Sequence, residues 1–151
     1  MGGVISAARG ELKLADHMIY VTLPLLGDRR IFLNAVNHLG KAINGVIMAY
    51  LEKEKKYKRL EFVPPLEMAV NLFVSKYAKK LGLEQYVSMI KAINSFNNVR
   101  EKSSIKLKRD NKFIVISPEY TMVTLTEDEV KNYIRLTSEF IDVMEEKLNE
   151  S

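Results

Sequence analysis

Residues 29–56 read RRIFLNAVNHLGKAINGVIMAYLEKEKK, and the spacing of their apolar positions decides the fold class. Phe32, Val36, Leu39, Ile43, Val46, Ile47 and Tyr50 recur every three or four residues, while Asn34, Asn37, Lys41 and Asn44 fall on a polar side. That is the pattern of an amphipathic helix. At 1.5 Å per residue it is roughly 40 Å long, more than the width expected of a small domain. Gly40 and Gly45 are therefore expected to bend it, or its end to project toward a partner. Its tail, Glu52 to Arg59, mixes Glu and Lys at short spacings and reads as a solvated helix end.

Toward the N-terminus, Ala8, Leu12, Ala15, Ile19 and Leu23 form a second stripe at helical spacing, which predicts a helix from Ser6 to about Leu23. Pro24 and Gly27 are expected to end it. Asp28 is placed to accept a hydrogen bond from the free amides of the next helix, so the two helices form an antiparallel hairpin. Toward the C-terminus, Pro64 and Pro65 punctuate the chain, and the second proline suits the first turn of a third helix. This helix is predicted over Leu66 to Leu81, with Gly82 as a left-handed stop. A fourth follows from about Leu83 to Asn97, with Tyr86, Met89, Ile90, Ile93 and Phe96 on its apolar side.

The period then changes from helix to strand. Ile105 and Leu107 alternate with Lys106 and Lys108, Asp110-Asn111 offers a two-residue turn, and Phe113 to Ile116 returns as a β-rich run. After Ser117-Pro118-Glu119, Tyr120 to Leu125 alternates again, predicting a three-stranded meander over about 104–125. Thr126 and Glu129 have capping-box spacing and open a last helix to about Leu148, striped by Val130, Tyr133, Ile134, Thr137, Ile141, Met144 and Leu148. The expected fold class is mainly α: one bundle of about five helices, residues 1–151, with a small antiparallel meander before the last helix.

A chain of 151 residues, 47% hydrophobic and 28% charged, can bury a core without staples. The absence of cysteine excludes disulfides, thiolate metal sites and cysteine nucleophiles. Met1 to Ser6 lacks the layout of a cleavable signal, so a cytoplasmic location is expected. The longest apolar stretch, Met18 to Leu26, is interrupted by Pro24 and is far short of the roughly 20 residues needed to span a bilayer; no membrane partner is expected. MGGVIS matches the loose N-myristoylation pattern, and the competing reading is a frayed terminus.

His17 and His38 lie on the first two helices at similar distances from the connecting turn. A metal would need a third ligand; Asp16 lies on a different helical face from His17, and Asn34 is a poor ligand. Two locally hydrogen-bonded histidines are the plainer expectation. There is no Gly-x-Ser-x-Gly turn and no phosphate-binding glycine loop. Asp128 and Glu129 suit the field at a helix N-terminus. No catalytic residue, metal ligand or cofactor is assigned.

The net charge is +4, and the most suggestive feature is its distribution. Arg100, Lys102, Lys106, Lys108, Arg109 and Lys112 crowd the loop and first hairpin with few acids among them. Lys106 and Lys108 face the same way on a strand. Such a segment suits a phosphate backbone, with Phe113 or Tyr120 nearby; alternatively the lysines guard an edge strand against aggregation.

A helical hairpin, two further helices, and a last helix preceded by a basic loop resemble the HEPN superfamily, helical-bundle domains of prokaryotic toxin–antitoxin, defence and RNA-processing systems. The resemblance covers most of the chain and rests on architecture. The family's ribonuclease motif is an arginine followed four to six residues later by a histidine, which helps activate the ribose hydroxyl while the arginine stabilises phosphate charge. Here Arg100 is followed by Glu101-Lys102-Ser103-Ser104-Ile105-Lys106-Leu107, and Arg9 meets His17 only after seven intervening residues. The motif is absent, and the meander departs from the family pattern. The resemblance therefore implies a non-catalytic member, self-associating as a dimer through a helical face, to which the long second helix is suited. The function expected from these residues is a non-catalytic binding or accessory module for RNA or another polyanion. The alternatives are a scaffold with a protein partner and a ribonuclease-like enzyme with an unrecognised site.

Overall fold

The computed structural model describes residues 2–103 and 105–150. It is 75% helical, with five helices and one three-stranded antiparallel sheet before the last, so the mainly α expectation holds. The first helix, α1, comprises Gly2–His17, a π turn Met18–Thr22 and a closing turn Leu23–Leu26. It begins at Gly2, earlier than the expected Ser6. It also continues through Pro24 instead of ending there. A proline lacks the amide for an α-helical bond, and its ring collides with the carbonyl four residues back. The wide turn relieves this: the Leu23 amide donates to the Met18 carbonyl, five residues back. Gly27, at φ 65°, is the true stop, its amide bonded to the Leu23 carbonyl at 2.8 Å.

Helix α2, Arg29–Lys56, is continuous. Asp28 caps it as expected, accepting from the Arg30 amide at 2.9 Å. Hydrogen bonds from the Arg30 side chain and then its amide hold the Asp28 carboxyl down at about 2. The other four helices all pack against α2, and its buried positions run from Phe32 to Glu54. A helix of this length therefore fits because it is the axis of the bundle. The expected projecting end is overturned. Gly40 has a packing role, since a Cβ there would stand 2.7 Å from Asn97 Nδ2, which donates to the Val36 carbonyl.

The solvated reading of the α2 tail fails for two residues, because Lys53 and Glu54 are buried. The Lys53 ammonium donates to the carbonyls of Lys147 at 2.8 Å and Leu148 at 3.2 Å, and to that of Glu150. It thus caps the C-terminal end of the last helix, where carbonyls lack partners and the helix dipole is negative. Glu54 is paired with Arg59.

Helix α3 comprises Leu66–Leu72, a π turn Phe73–Tyr77 and Ala78–Lys80. Pro65 precedes its first residue as the cap, one position earlier than expected. Gly82, at φ 72°, ends it. The Leu83 amide bonds the Ala78 carbonyl and the Gly82 amide that of Lys79, a Schellman closure. Helix α4 starts with a 3-10 turn, Glu84–Tyr86, and runs as Val87–Lys102, five residues past the expected end. Nothing in Asn98 to Lys102 breaks a helix, and half-buried Val99 and Arg100 continue the stripe from Phe96.

The meander is present as β1 Ile105–Arg109, β2 Lys112–Ile116 and β3 Met122–Thr126, in that order across the sheet. Asp110 turns the first hairpin at φ 56°. Helix α5, Glu127–Asn149, opens with the predicted capping box: the Glu129 amide donates to Thr126 Oγ1 at 3.0 Å and the Thr126 amide to Glu129 Oε1 at 2.9 Å. Two aromatic groups anchor the ends of α2. At one end Phe32 stacks on Phe113 of β2, with centroids 3.6 Å apart, and meets Phe96 of α4 edge-on. At the other, Tyr50 meets Phe73 and Tyr77, and Phe73 meets Phe140 of α5. Among the described residues no helix is long and apolar enough to cross a membrane.

Candidate nucleic-acid interface

The strand register decides where the basic residues stand. Lys106 lies opposite Val115 and Lys108 opposite Phe113, which in turn lie opposite Val123 and Leu125. Cross-strand partners share a face, and Phe113, Val115 and Leu125 are buried. Lys106 and Lys108 do face the same way, but toward the inner side of the sheet. They escape burial because β1 is an edge strand. Lys108 is exposed, its ammonium 5.6 Å from the centroid of the Phe113 ring. Inward-facing lysines on an edge also discourage pairing with a foreign strand.

Arg109 and Lys112 lie opposite each other at the hairpin tip, on the outer face, and both are exposed. The tip rests against the acidic start of α5, where the Glu127 amide donates to the Asn111 carbonyl at 3.2 Å. Glu127, Asp128 and Glu129 therefore offset part of its positive field. Arg100 and Lys102 are not in a loop; they belong to the last turn of α4. Ser103 Oγ accepts from the Ile116 amide and donates to the Ile116 carbonyl. This ties the basic end of α4 to the end of the sheet away from the tip.

Five-residue strands at about 3.4 Å per residue separate those two ends by about 17 Å. The six cations are thus strung out from the end of α4, along β1 and to the hairpin tip, on both faces of the sheet, and do not form a compact cluster. Among the described residues none of the six is in an ion pair, a state they share with most lysines of the chain; the paired cations are Arg9, Arg30, Arg59, Arg135 and Lys147. Arg100 Nε is buried without a hydrogen-bond partner. A compact cluster grips one small anion; a spaced row of unpaired cations matches an extended polyanion.

Of the two aromatic residues expected near the row, Phe113 is unavailable. It is 1% exposed and stacked on Phe32, because a ring on the inner face of a central strand becomes core. Tyr120 is 87% exposed.

The two histidines are not paired. His38 Nδ1 contacts Glu11 Oε2 across the α1–α2 contact, while His17 is exposed on α1. Among the described residues no group of three or more His, Cys, Asp or Glu is placed to hold a metal.

Sequence reasoning missed a buried polar cluster at the far end of α2. Glu54 is 1% exposed, paired with Arg59, and accepts from the Tyr50 hydroxyl at 3.4 Å. Burial, and then the Glu54 charge, push the Tyr50 phenol up to about 12. The Tyr77 phenol is raised for the same reasons, and its hydroxyl is buried without a partner. The signal was present in the sequence: positions 53 and 54 continue the three-and-four spacing from Tyr50. Glu54, Tyr50 and Tyr77 are closed to solvent, and Arg59 covers them with its half-exposed side chain.

A cleft of about 490 Å³ opens between α3 and α4, lined by residues that include Leu66, Asn71, Lys91, Asn94 and Asn98. Asn94 is held there by reciprocal amide bonds with Asn44, at 2.9 and 3.2 Å.

Comparison of the chain with protein-family models, curated proteins and solved structures gave no match.

Proposed function

We propose that this protein is a non-catalytic binding module that holds an extended polyanion, RNA foremost, along the basic edge of its meander. The observation that carries the reading is the density of charge from Arg100 to Lys112, six cations against two acids, Glu101 and Asp110, with none of the six in an ion pair among the described residues. The counter-charges come from the ligand, whose condensed counterions are released on binding. The HEPN-like resemblance belongs to the same proposal. Replacing Lys106, Lys108 and Arg109 together by Ala is expected to weaken binding across sequences and to reduce the slope of log K against log salt by about two. Fluorescence anisotropy with a labelled RNA checks this, and an unchanged slope would remove the row from the interface.

Self-association through a helical face is part of the proposal, with its support moved. Helix α2 is enclosed by its neighbours, but Leu14, Val21 and Leu25 of α1 are exposed at spacings of seven and four. Sedimentation equilibrium at tens of micromolar is expected to give a dimer mass that Leu25→Glu returns to monomer; a wild-type monomer would end this part. A second reading, a scaffold with a protein partner, is favoured by the open α3–α4 cleft, where Leu66 and neighbouring Met68 are exposed. A wild-type chain that ignores RNA but is captured by a protein through that cleft would favour it.

A further inference from the structure

We infer that the polyanion held at this edge is single-stranded, and that Tyr120 provides the ring on which an unpaired base stacks. The inference rests on the proposed function and specifies its ligand.

Three observations support it. Tyr120 has φ 65°, in the left-handed region, where a bulky residue is an outlier. Its backbone is fixed there: the Tyr120 amide bonds the Ser117 carbonyl at 2.9 Å, the Ser117 amide the Thr121 carbonyl at 2.9 Å, and the Thr121 amide Ser117 Oγ at 3.0 Å. A glycine would occupy this turn without strain, and the tyrosine ring, 87% exposed, adds nothing to the core. Exposed Lys58 and Asp110 share this angle, and what sets Tyr120 apart is a bulky ring displayed there, which favours a contact role.

The ring also has the right neighbours. Its loop joins β2 to β3 just beyond the Ile116–Met122 pair. Ser103 binds Ile116, which places Arg100 and Lys102 at this same end. On the outer face of the sheet, which carries Arg109 and Lys112 but not Lys106 and Lys108, Met122 and Leu107 are exposed and give an apolar floor. A charged track combined with an exposed aromatic ring is what a single strand requires. A duplex conceals the faces of its bases and gives Tyr120 nothing to stack on.

The test measures anisotropy at low salt with three probes: a labelled single-stranded RNA 12-mer, an abasic ribose-phosphate 12-mer of equal charge, and a duplex RNA. The wild-type chain is expected to bind the single strand about tenfold tighter than the abasic strand. Tyr120→Gly should remove that preference and leave abasic binding unchanged, while Tyr120→Phe should retain it. Thermal unfolding of Tyr120→Gly should show a Tm no lower than wild type, since relieved strain offsets the added freedom of the unfolded chain. Equal binding of single and abasic strands, tighter binding of duplex, or an unaltered preference in Tyr120→Gly would overturn the stacking role while leaving the polyanion reading intact. A Tm lowered by several degrees would show that the ring is structural and would also overturn it. Failure of all three probes to bind would remove both readings and direct the search to a protein partner.

Discussion

Phe32→Ala is expected to destabilise the fold by about 4 kcal/mol, the largest effect of any substitution considered for this chain. Phe32 is fully buried and touches two separate elements. Its ring lies face to face with Phe113, interplanar angle 4°, and edge-on to Phe96 at 6.2 Å. Truncation therefore removes the contact that seats the sheet on the bundle as well as leaving a cavity, and the rigid helix α2 cannot collapse to fill it. Urea unfolding should show a midpoint shifted down at unchanged slope. Because the basic row lies on the sheet, RNA binding should weaken too, although no charge has changed. A loss below about 1 kcal/mol would mean that the sheet is held mainly by other contacts, such as the Ser103–Ile116 bonds.

Arg59→Ala is expected to cost about 3 kcal/mol, although Arg59 itself is half exposed. The loss arises from what remains behind: a buried Glu54 carboxylate with only the 3.4 Å hydrogen bond from Tyr50. Removing Arg59 takes away the charged partner of a carboxylate that is itself buried. Glu54→Gln added to Arg59→Ala should recover most of the loss, because the neutral amide avoids the desolvation of the charge. Chemical denaturation of wild type, single and double variants forms the required cycle. If the single variant is as stable as wild type, water reaches Glu54 and the pair is not what closes this end of the bundle.

The apolar stripes made most of the fold legible. Positions such as Ala8, Ala15, Ile19 and Leu23, or Val130, Ile134, Thr137, Ile141, Met144 and Leu148, are buried as their spacing requires. Local chemistry gave the stops and caps at Gly82, Asp28 and Thr126. What escaped was whatever depended on neighbours distant in sequence. Pro24 reads as a helix end, yet packing of α1 along α2 makes a π turn cheaper than breaking the helix. Lys53 and Glu54 read as surface charges because their partners, the end of α5 and Arg59, are invisible to helical periodicity. In the candidate interface, the shared direction of Lys106 and Lys108 was legible, but which face of the sheet meets the core was not. That choice is set by Phe113 stacking on Phe32, and it converts Phe113 from a ligand contact to core. The exposed strain at Tyr120 has no counterpart in residue identity at all, since it resides in a backbone angle.

The most direct measurement is the affinity of the wild-type chain for a labelled single-stranded RNA between about 50 and 200 mM salt. Binding that falls steeply, with a log–log slope of about −4 if all six cations from Arg100 to Lys112 meet phosphates, is the expected result. No binding at the lowest salt, or binding indifferent to salt, would contradict the claim that this unpaired row is built for a polyanion.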